Sequence, residues 1–365
     1  MSKEINPVFI PGDMDLKRHP NTRDTFAPGE LINFDHKTIF YDVYIDEQDA
    51  SLVAIGPPCL NLKDYIKKAK LIVNGVQTPF SLKEHEEHKI CFLKARISSG
   101  KDYEIEFKFK DFSTTLKLKS LNIPHGNKVL AAISKNNKTE WISDWVDFYR
   151  ENYDLDGVYI YDNGSKNVDE LEHKLEGRAK VIRWNHPYGP PKKRFNKFAQ
   201  PGALNHCLNR FAKKGVLFNF DIDELLIANQ SDIDSELEKN GTVYFDSYNV
   251  PFVNPGKDDY SYYDFSYREK NRRKSARKFV CLHNAVDIIS QHNTWTFKNI
   301  FIKQKVKRNK PDKLESKNGF FMHFLGITTN WQPGLKKLKE TPLDSLEPDK
   351  SHIKMRYNKS MKEGE

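Results

Sequence analysis

Apolar and polar residues alternate in the first third of the chain, as they do in half-buried antiparallel strands. Five segments with this character are predicted to be strands: Thr38–Ile45, Lys70–Val73, Lys89–Leu93, Tyr103–Phe109 and Ser113–Leu118. Asn74-Gly75 is a favourable pair for a tight turn after the second of them. Residues 1–35 are rich in proline and charge and show little periodicity. We therefore predict an extended arm over residues 1–35 and a small antiparallel β-sandwich-like domain over residues 36–122.

After Pro124 the pattern changes to short apolar runs separated by segments with helical periodicity. The runs predict four strands: Lys128–Ile133, Gly157–Tyr161, Ala179–Arg183 and Val216–Phe220. Thr139 is placed to cap the first intervening helix, and Asn167 with Glu170 forms a capping box for the second. Strands that alternate with helices form a mostly parallel, doubly wound sheet. The predicted fold class is α/β, with the sheet domain over residues 123–335 and a basic tail over residues 336–365.

The fourth apolar run leads directly into two carboxylates, Asp221 and Asp223, and apolar residues return after Glu224. Burying a carboxylate without a partner is costly, so packing alone does not explain this pattern. Two aspartates at positions i and i+2 can share a Mg²⁺ or Mn²⁺ ion whose other ligands are water and substrate phosphates. The alternative is that both acids are solvated loop residues.

Polar clusters follow three of the predicted strands, at Ser134–Lys138, Asp162–Ser165 and Asp221–Glu224. In doubly wound sheets, ligands bind beyond the carboxyl ends of the strands. The agreement in position indicates one binding site at that edge of the sheet.

Composition narrows the class of protein. The chain has 365 residues, a net charge of +9 and a pI of about 9.0. No stretch reaches the ~20 apolar residues of a membrane span, and the N-terminus lacks the apolar core of a signal peptide. The four cysteines are scattered and form no CxxC pair, as expected of reduced residues. We expect a cytoplasmic protein, with peripheral association at the inner face of the plasma membrane as a further option.

The segment Arg268–Lys278 is strongly basic. It is suited to an anionic acceptor or an acidic membrane surface, and the simplest alternative is a solvated face. Nucleic acid is disfavoured as a partner, because aromatic residues are rarely interleaved with the cations and no nucleic-acid-binding motif is present.

Four ordered motifs resemble glycosyltransferases of the GT-A fold, closest to the family-92 type and to related family-2-like bacterial sequences. They are Trp141–Tyr149, similar to the family's "YIxEWIEYH" helix; Gly157–Ser165, similar to its "YDNxS" turn; Gln200 with Asn205–Arg210; and Phe220–Glu224, which matches "FDIDEF". The resemblance covers residues 128–331. It departs at Asn136-Asn137-Lys138, where the family has "KNE", and after Asp246, where the acceptor site is normally shaped.

The resemblance implies roles for named residues. It places Asn137, Asp162, Asn163, Gln200, Asn205 and Asp221 at the nucleotide sugar, with Lys354 and Arg356 over the diphosphate. It implies that Asp223 is the main ligand of Mn²⁺ or Mg²⁺, assisted by Asp221 and by His323. Glu224 would brace the acidic loop, and His292 matches a second family histidine. Each residue also has a purely structural alternative: turn, core or solvated helix.

The resemblance also implies the chemistry: transfer of a sugar from a nucleotide-diphosphate donor to a glycan or polysaccharide hydroxyl, with inversion of configuration. UDP is the favoured nucleotide and galactose one candidate sugar. Inversion requires a general base near the acceptor hydroxyl. Asp264 and Asp287 are the two acids we would test first.

Two other functions remain open at this point. The chain could be a catalytically degenerate glycan-binding or scaffold protein of the same fold, although the intact Asp221 and Asp223 argue against that. A sugar-phosphate nucleotidyltransferase would need a glycine-rich loop after the first strand of the sheet. Ser134–Lys138 contains no glycine, and no dinucleotide or P-loop motif occurs.

Overall fold

The computed structural model describes residues 5–21, 26, 29–121, 123–190, 198–253, 259–300, 303–327 and 342–360. The chain forms two compact units: Met1–Pro124 with Arg183–His206, and His125–Ile182 with Cys207–Glu365. No helix in these described ranges has the length and apolar character needed to cross a bilayer.

The first unit is mostly antiparallel β. Its elements are β1 (Val8–Phe9), β2 (Thr38–Phe40), β3 (Asp42–Asp46), β4 (Ser51–Gly56), α1 (Lys63–Lys67), β5 (Lys70–Val73), β6 (Val76–Thr78), β7 (Ser81–His85), β8 (Ile90–Arg96), β9 (Asp102–Lys108) and β10 (Ser113–Lys119). Two four-stranded sheets, in the orders β3-β4-β8-β7 and β10-β9-β5-β6, share one apolar core. The tight turn predicted at Asn74-Gly75 joins β5 and β6, with positive φ at both residues. The predicted strand Thr38–Ile45 is divided at Tyr41, and β4 and β7 were not predicted.

The segment predicted to be an extended arm is tied to this unit. Strand β1 pairs with β2, and Arg18 is fully buried. The guanidinium group of Arg18 donates hydrogen bonds to three backbone carbonyls, those of Asp35, Thr38 and Pro58. These bonds satisfy a cation that would be costly to bury otherwise.

The second unit contains the α/β sheet. Its elements are β11 (Lys128–Ser134), α2 (Thr139–Asn152), β12 (Gly157–Asp162), α3 (Val168–Lys174), β13 (Lys180–Arg183), α4 (Ala199–Arg210), β14 (Val216–Asn219), β15 (Glu224–Ile227), α5 (Gln230–Asn240), β16 (Thr242–Pro251), β17 (Tyr267–Glu269), β18 (Arg273–Leu282), β19 (Ile288–Ile289), β20 (Thr294–Ile300), β21 (Lys303–Arg308), β22 (Phe320–Leu325), β23 (Leu346–Pro348) and α6 (Ser351–Ser360). The boundary between the two units falls at the end of β13 and again within α4, after His206.

Eight strands form the main sheet in the order β13-β12-β11-β14-β18-β16-β22-β15. The predicted strands at the β11 side are present, and β11 is parallel to both β12 and β14. Beyond β14 the sheet is mixed rather than mostly parallel, because β18 is antiparallel to both β14 and β16, and β15 is antiparallel to β22. Three of the four added strands, β16, β18 and β22, come from the segment after Asn240, and the fourth, β15, directly follows Asp223. In the segment after Asn240 the sequence resembled the expected family least.

Both predicted helix caps are wrong in detail. Lys138 is the N-cap of α2, and Thr139 is its first helical residue. Asn167 is the N-cap of α3 but its side chain makes no capping bond. Instead the Asn167 amide donates to the backbone oxygen of Asn137 and to the hydroxyl of Thr139. The side chain therefore joins the loops that follow β11 and β12.

The close packing of backbone atoms around Gly215 allows the fold to be tested by substitution. A Cβ atom at this position would lie 2.1 Å from the backbone oxygen of Asn127 and 2.6 Å from the carbonyl carbon of Gly126. These atoms belong to the backbone, which cannot rotate away from an added Cβ atom as a side chain can. Gly215 itself lies just before the central strand β14. We expect Gly215→Ala to lower the free energy of unfolding by about 1–3 kcal/mol in urea denaturation. Gly12→Ala, where nothing lies within 4 Å of the added Cβ, is the control. Equal stability of the two variants would contradict this packing.

Candidate active site

The acidic residues after β14 form a tight group. Ligand oxygens of Asp221, Asp223 and Glu224 all lie within 4.8 Å of one another. Oxygen ligands of one Mg²⁺ ion, at about 2.1 Å from it, are at most about 4.2 Å apart, so small side-chain rotations would bring this group to a shared ion. The donor set, all carboxylate oxygens, fits Mg²⁺ or Mn²⁺.

A buried lysine, which the sequence analysis did not identify, completes this group. Lys278 lies on β18 and is fully buried. Its Nζ atom is 2.7 Å from Oδ2 of Asp221 and 3.1 Å from Oε2 of Glu224. Strand β18 is antiparallel to β14, with Phe279 opposite Asn219, so Lys278 is carried next to the start of the acidic loop. The available signal was that Lys278 directly precedes the apolar run Phe279–Leu282.

The pKa values of Asp221 and Glu224 are shifted in opposite directions, although both residues contact Lys278. Burial alone would raise the pKa of Asp221, but Lys278 and a hydrogen bond from Gln291 outweigh it and lower the pKa to about 2. Burial raises the pKa of Glu224 to about 8; the charges on Asp221 and Asp223 add to this, and Lys278 only partly counteracts it. At neutral pH Asp221 is therefore ionised beside Lys278, whereas Glu224 is largely protonated.

His323 reaches Asp223 from β22. Its Nε2 atom is 3.3 Å from Oδ2 of Asp223, and its Nδ1 atom is 3.3 Å from Oδ1 of Asn249. The amide nitrogen of Asn249 donates to Glu269, which turns the amide oxygen toward His323. Nδ1 of His323 is therefore the donor, and Nε2 faces the acidic group. Burial opposes protonation of His323, but Asp223 outweighs it and raises the pKa of His323.

Gln291 and His292 approach the other side of the acidic loop. Nε2 of Gln291 donates to Oδ2 of Asp221 at 2.7 Å, and the backbone oxygen of Gln291 accepts from the side chain of Asn219. His292 is hydrogen bonded through Nδ1 to the carbonyl of Arg277. His292 was predicted on resemblance, whereas Gln291 was not identified.

Aromatic residues hold the backbone of the acidic loop. Trp145 and Tyr149 of α2 both donate to the carbonyl of Glu224, and the Tyr149 hydroxyl accepts from the N–H of Leu226. Tyr262 donates to the carbonyl of Ile222, between the two aspartates. All three aromatic side chains are buried. The helix that matched the family motif therefore fixes the position of the acids.

Predicted nucleotide-binding residues meet at the ends of β11 and β12. Ser134 and Asp162 are paired in register, and the N–H of Asn163 donates to the Ser134 carbonyl. Asn137 donates through its side chain to the Ser134 hydroxyl. Oδ2 of Asp162 accepts from the N–H groups of Gly164 and Ser165, whereas its buried Oδ1 has no hydrogen-bond partner among the described residues. Because β11, β12 and β14 are parallel neighbours, these residues lie at the same sheet edge as Asp221.

Four of the other predicted residues occupy positions with local structural contacts. Gln200 and Asn205 belong to the first unit, where they bond to Tyr188 and to the carbonyl of Pro201. Asp264 accepts from the N–H of Ser261 in a capping box, and Asp287 is exposed and accepts from the N–H of Phe297.

The two cations predicted to lie over the diphosphate are both on α6. Lys354 is exposed there. The side chain of Arg356 lies outside the described residues.

The basic segment Arg268–Lys278 is only in part the solvated face that the charge pattern suggested. Arg277 is buried and paired with Asp246, Asp312 and Glu315. Arg268 pairs with Glu347 and Asp349, and its guanidinium group stacks on Tyr248. Carboxylates distant in sequence neutralise these cations, so a count of charges along the segment overstates its positive surface. Lys270, Arg272, Arg273 and Lys274 remain exposed.

Removing the Tyr149 hydroxyl tests whether α2 braces the acidic loop. In Tyr149→Phe the buried N–H of Leu226 loses its acceptor, and we expect a loss of about 1–3 kcal/mol in the free energy of unfolding. Tyr248→Phe, which removes only an exposed hydrogen bond from Arg272, should change it by less than about 0.5 kcal/mol. Equal effects in chemical denaturation would show that the Tyr149 hydroxyl does not support the loop.

His352 makes the support of this loop sensitive to pH. It is buried on α6 and bonds through Nε2 to the carbonyl of Tyr262, and burial lowers its pKa from 6.5 to about 4. A depressed histidine pKa means that the neutral form stabilises the fold. This contribution is complete above pH 6.5 and is lost as the pH falls toward 4.

We therefore expect wild type to lose on the order of 3 kcal/mol more stability than His352→Gln between pH 7 and 4. Glutamine retains a donor for Tyr262 but does not titrate. Parallel pH profiles of the two proteins in urea denaturation would refute the role of His352.

Comparison with known proteins gives a family but little structural guidance. Among solved structures, the chain is similar to the crystal structure of S. aureus TarS 1-349, with a TM-score of 0.28 and 13% identity over 43% of this chain and 47% of that one. It is also similar to a putative alpha-galactosidase/melibiase from Bacteroides fragilis NCTC 9343, with a TM-score of 0.12 and 14% identity over 31% of each chain. Similarities this weak support no argument about fold or activity, and the match spans about half the length of TarS.

No curated protein matches the chain. The model of glycosyltransferase family 92, in contrast, matches residues 132–363. The match begins in β11 and includes the loops that carry Asp162, Asp221 and Asp223. Since it covers more than half of the chain, this protein belongs to glycosyltransferase family 92.

Proposed function

We propose that the protein is a metal-dependent glycosyltransferase of GT-A type that transfers a sugar from a UDP-sugar to a glycan hydroxyl. The observation that carries the proposal is the edge shared by β11, β12 and β14. A group of three acids lies at the end of β14, and a buried carboxylate oxygen with no hydrogen-bond partner in the described part of the chain lies at the end of β12. The first is suited to a metal–diphosphate and the second to the nucleoside.

Asp162 supports a nucleoside ligand. A buried acceptor without a donor costs free energy, so its persistence at a functional edge indicates that a ligand supplies the donor. The N–H of a uracil base and the hydroxyls of a ribose are both suitable donors for Oδ1. The neighbouring Asn137 and Asn163 are buried and offer further polar groups. The resemblance favours UDP, with galactose as one candidate sugar.

Asp223 and Asp221 would make different contributions to binding a cation. Asp223 would be the main ligand, because among the described residues its only hydrogen bond to a side chain is to His323. Nε2 of His323 faces the same position, and Asp221 would contribute its second oxygen. When bound, Mn²⁺ or Mg²⁺ supplies positive charge that stabilises the departing diphosphate. Exposed Lys354, and Arg356 on the same helix, would add to that stabilisation.

The transfer itself would be a single in-line displacement. The acceptor oxygen forms a bond to the anomeric carbon as the bond from that carbon to the diphosphate oxygen breaks, which inverts the configuration. The proton of the acceptor hydroxyl passes to a general base. Asp264 is favoured over Asp287, because it lies two residues from Tyr262, whose hydroxyl bonds the acidic loop.

The exposed cations and the cysteines bear on the acceptor and on the compartment. Lys270 and Arg272 are exposed cations that have no carboxylate partner within the described chain, and they would suit an anionic glycan or an acidic membrane surface. All four cysteines are buried and unpaired. Unpaired cysteines are typical of a reducing compartment such as the cytoplasm.

Thermal unfolding with nucleotides tests this function. Wild type, Asp223→Ala and Asp162→Asn would be melted with UDP, GDP, CMP, dTDP or ADP, each with and without Mn²⁺. We expect stabilisation by UDP that requires Mn²⁺, about 2.7 kcal/mol at a ligand concentration of 100 Kd. Asp223→Ala should lose the Mn²⁺ dependence, and Asp162→Asn should lose UDP binding. Glu238→Gln, an exposed position on α5, should behave like wild type.

Another nucleotide in place of UDP would change the donor but keep the function. No stabilisation by any nucleotide, in a folded wild type, would contradict an active transferase and favour a degenerate binding protein.

A further inference from the structure

Lys278 is an unusual residue for a cation-binding group. It is fully buried, so neither a glycan acceptor nor solvent water reaches its ammonium group. Its ammonium group lies at ion-pair distance from two of the three carboxylates, 2.7 Å from Asp221 and 3.1 Å from Glu224. A fixed positive charge there competes directly with a divalent ion for the same oxygens.

The contacts show which carboxylates the lysine engages. Oδ2 of Asp221 faces both Lys278 and the amide of Gln291, at 2.7 Å in each case. Oε2 of Glu224 faces Lys278 and also accepts from the N–H of Asp221. Both oxygens are therefore already engaged by other groups of the protein. The carboxylate of Asp223 contacts His323 instead, at 3.3 Å.

We propose that Lys278 acts as a permanent counter-ion that holds Asp221 and Glu224 at ion-pair distance. As a result, the protein alone binds a divalent cation weakly and binds it well only together with a nucleotide diphosphate. This inference rests on the proposed function, since it assumes that such a nucleotide is the donor. It adds that the metal and the donor bind together, and it attributes this coupling to Lys278.

The charge balance gives the physical reason. The ammonium group of Lys278 offsets one negative charge of the acidic group, so the protein alone presents less negative charge to a divalent cation than the same acids would without the lysine. Mg²⁺ is usually held in proteins by one or two carboxylates, with water and substrate phosphates as the remaining ligands. Because Lys278 engages Asp221 and Glu224, Asp223 is the main carboxylate left for the ion, which is close to the smallest number of carboxylates that holds Mg²⁺. The diphosphate oxygens would supply both the missing ligands and the missing negative charge.

Binding of Mn²⁺ alone provides a readout that does not depend on catalysis. Free Mn²⁺ would be followed by its electron paramagnetic resonance signal during titration, with and without UDP. In wild type we expect weak binding without UDP and binding at least about tenfold tighter with it. In Lys278→Met we expect binding without UDP to become about tenfold tighter or more, because the competing charge is gone and Asp221 is released.

The chain offers a matched control on the same strand. Lys274 is 66% exposed on β18 and pairs only loosely with Glu315, at 3.7 Å. Lys274→Met makes the same chemical change outside the acidic group and should leave Mn²⁺ affinity at the wild-type value. Adding Asp223→Asn to Lys278→Met should abolish the gain, which would show that the tighter site is this one.

Removing a buried charge can prevent folding, and a second variant addresses that. Lys278→Met combined with Glu224→Gln removes the ammonium group and one of the two carboxyl groups that face it, and it leaves Asp221 without its lysine. Circular dichroism would establish that each variant is folded. The double variant should also bind Mn²⁺ more tightly than wild type in the absence of UDP.

Two results would overturn the role of Lys278. One is a folded single or double variant that binds Mn²⁺ no more tightly than wild type. The other is a wild type that already holds Mn²⁺ tightly without UDP, a measurement that needs no variant. Failure of the proposed function would look different, because wild type would then bind neither UDP nor another nucleotide with or without Mn²⁺.

Discussion

The second unit is organised around the burial of charge at the end of a central strand. Asp221, Glu224 and Lys278 are held within ion-pair distance in a place where water is largely excluded. An isolated charge there would cost several kcal/mol, so each group is acceptable only because the others are present and hydrogen bonded. The surrounding sheet must therefore bring two distant chain segments, the loop after β14 and strand β18, together with precise spacing.

The strand order meets this requirement. Parallel pairing of β14 with β11 puts the acidic loop at the edge where β11 and β12 also end. Antiparallel pairing of β18 with β14 delivers Lys278 to the same edge, and β22 delivers His323 beside Glu224. Helix α2 and Tyr262 then take up the backbone carbonyls of the loop. The function depends on this convergence, since no single segment contains a complete site.

Much of this arrangement could be predicted from local sequence. The strand ending at Asp221, the turn at Asp162 and the parallel neighbours β11, β12 and β14 follow from short patterns and from the geometry of alternating strands and helices. Lys278 could not be predicted in its role, because a basic segment is solvated by default and its carboxylate partners lie more than fifty residues earlier in the chain.

Other features were beyond local patterns for similar reasons. The antiparallel half of the sheet came from segments with weak periodicity. The Thr139 and Asn167 side chains, which fit local capping rules, are instead used in a contact between two loops. Local rules consider only near neighbours in sequence, and here a tertiary partner offered the better hydrogen bond.

The most direct test of the account is release of UDP from UDP-sugars in the presence of Mn²⁺, with and without glycan acceptors. The account predicts UDP release by wild type from at least one UDP-sugar, with loss of the activity when Mn²⁺ is chelated and in Asp223→Asn. Release of UDP that is unaffected by chelation and by Asp223→Asn would contradict the assignment of the acidic group. No release from any UDP-sugar would contradict the assignment of the donor.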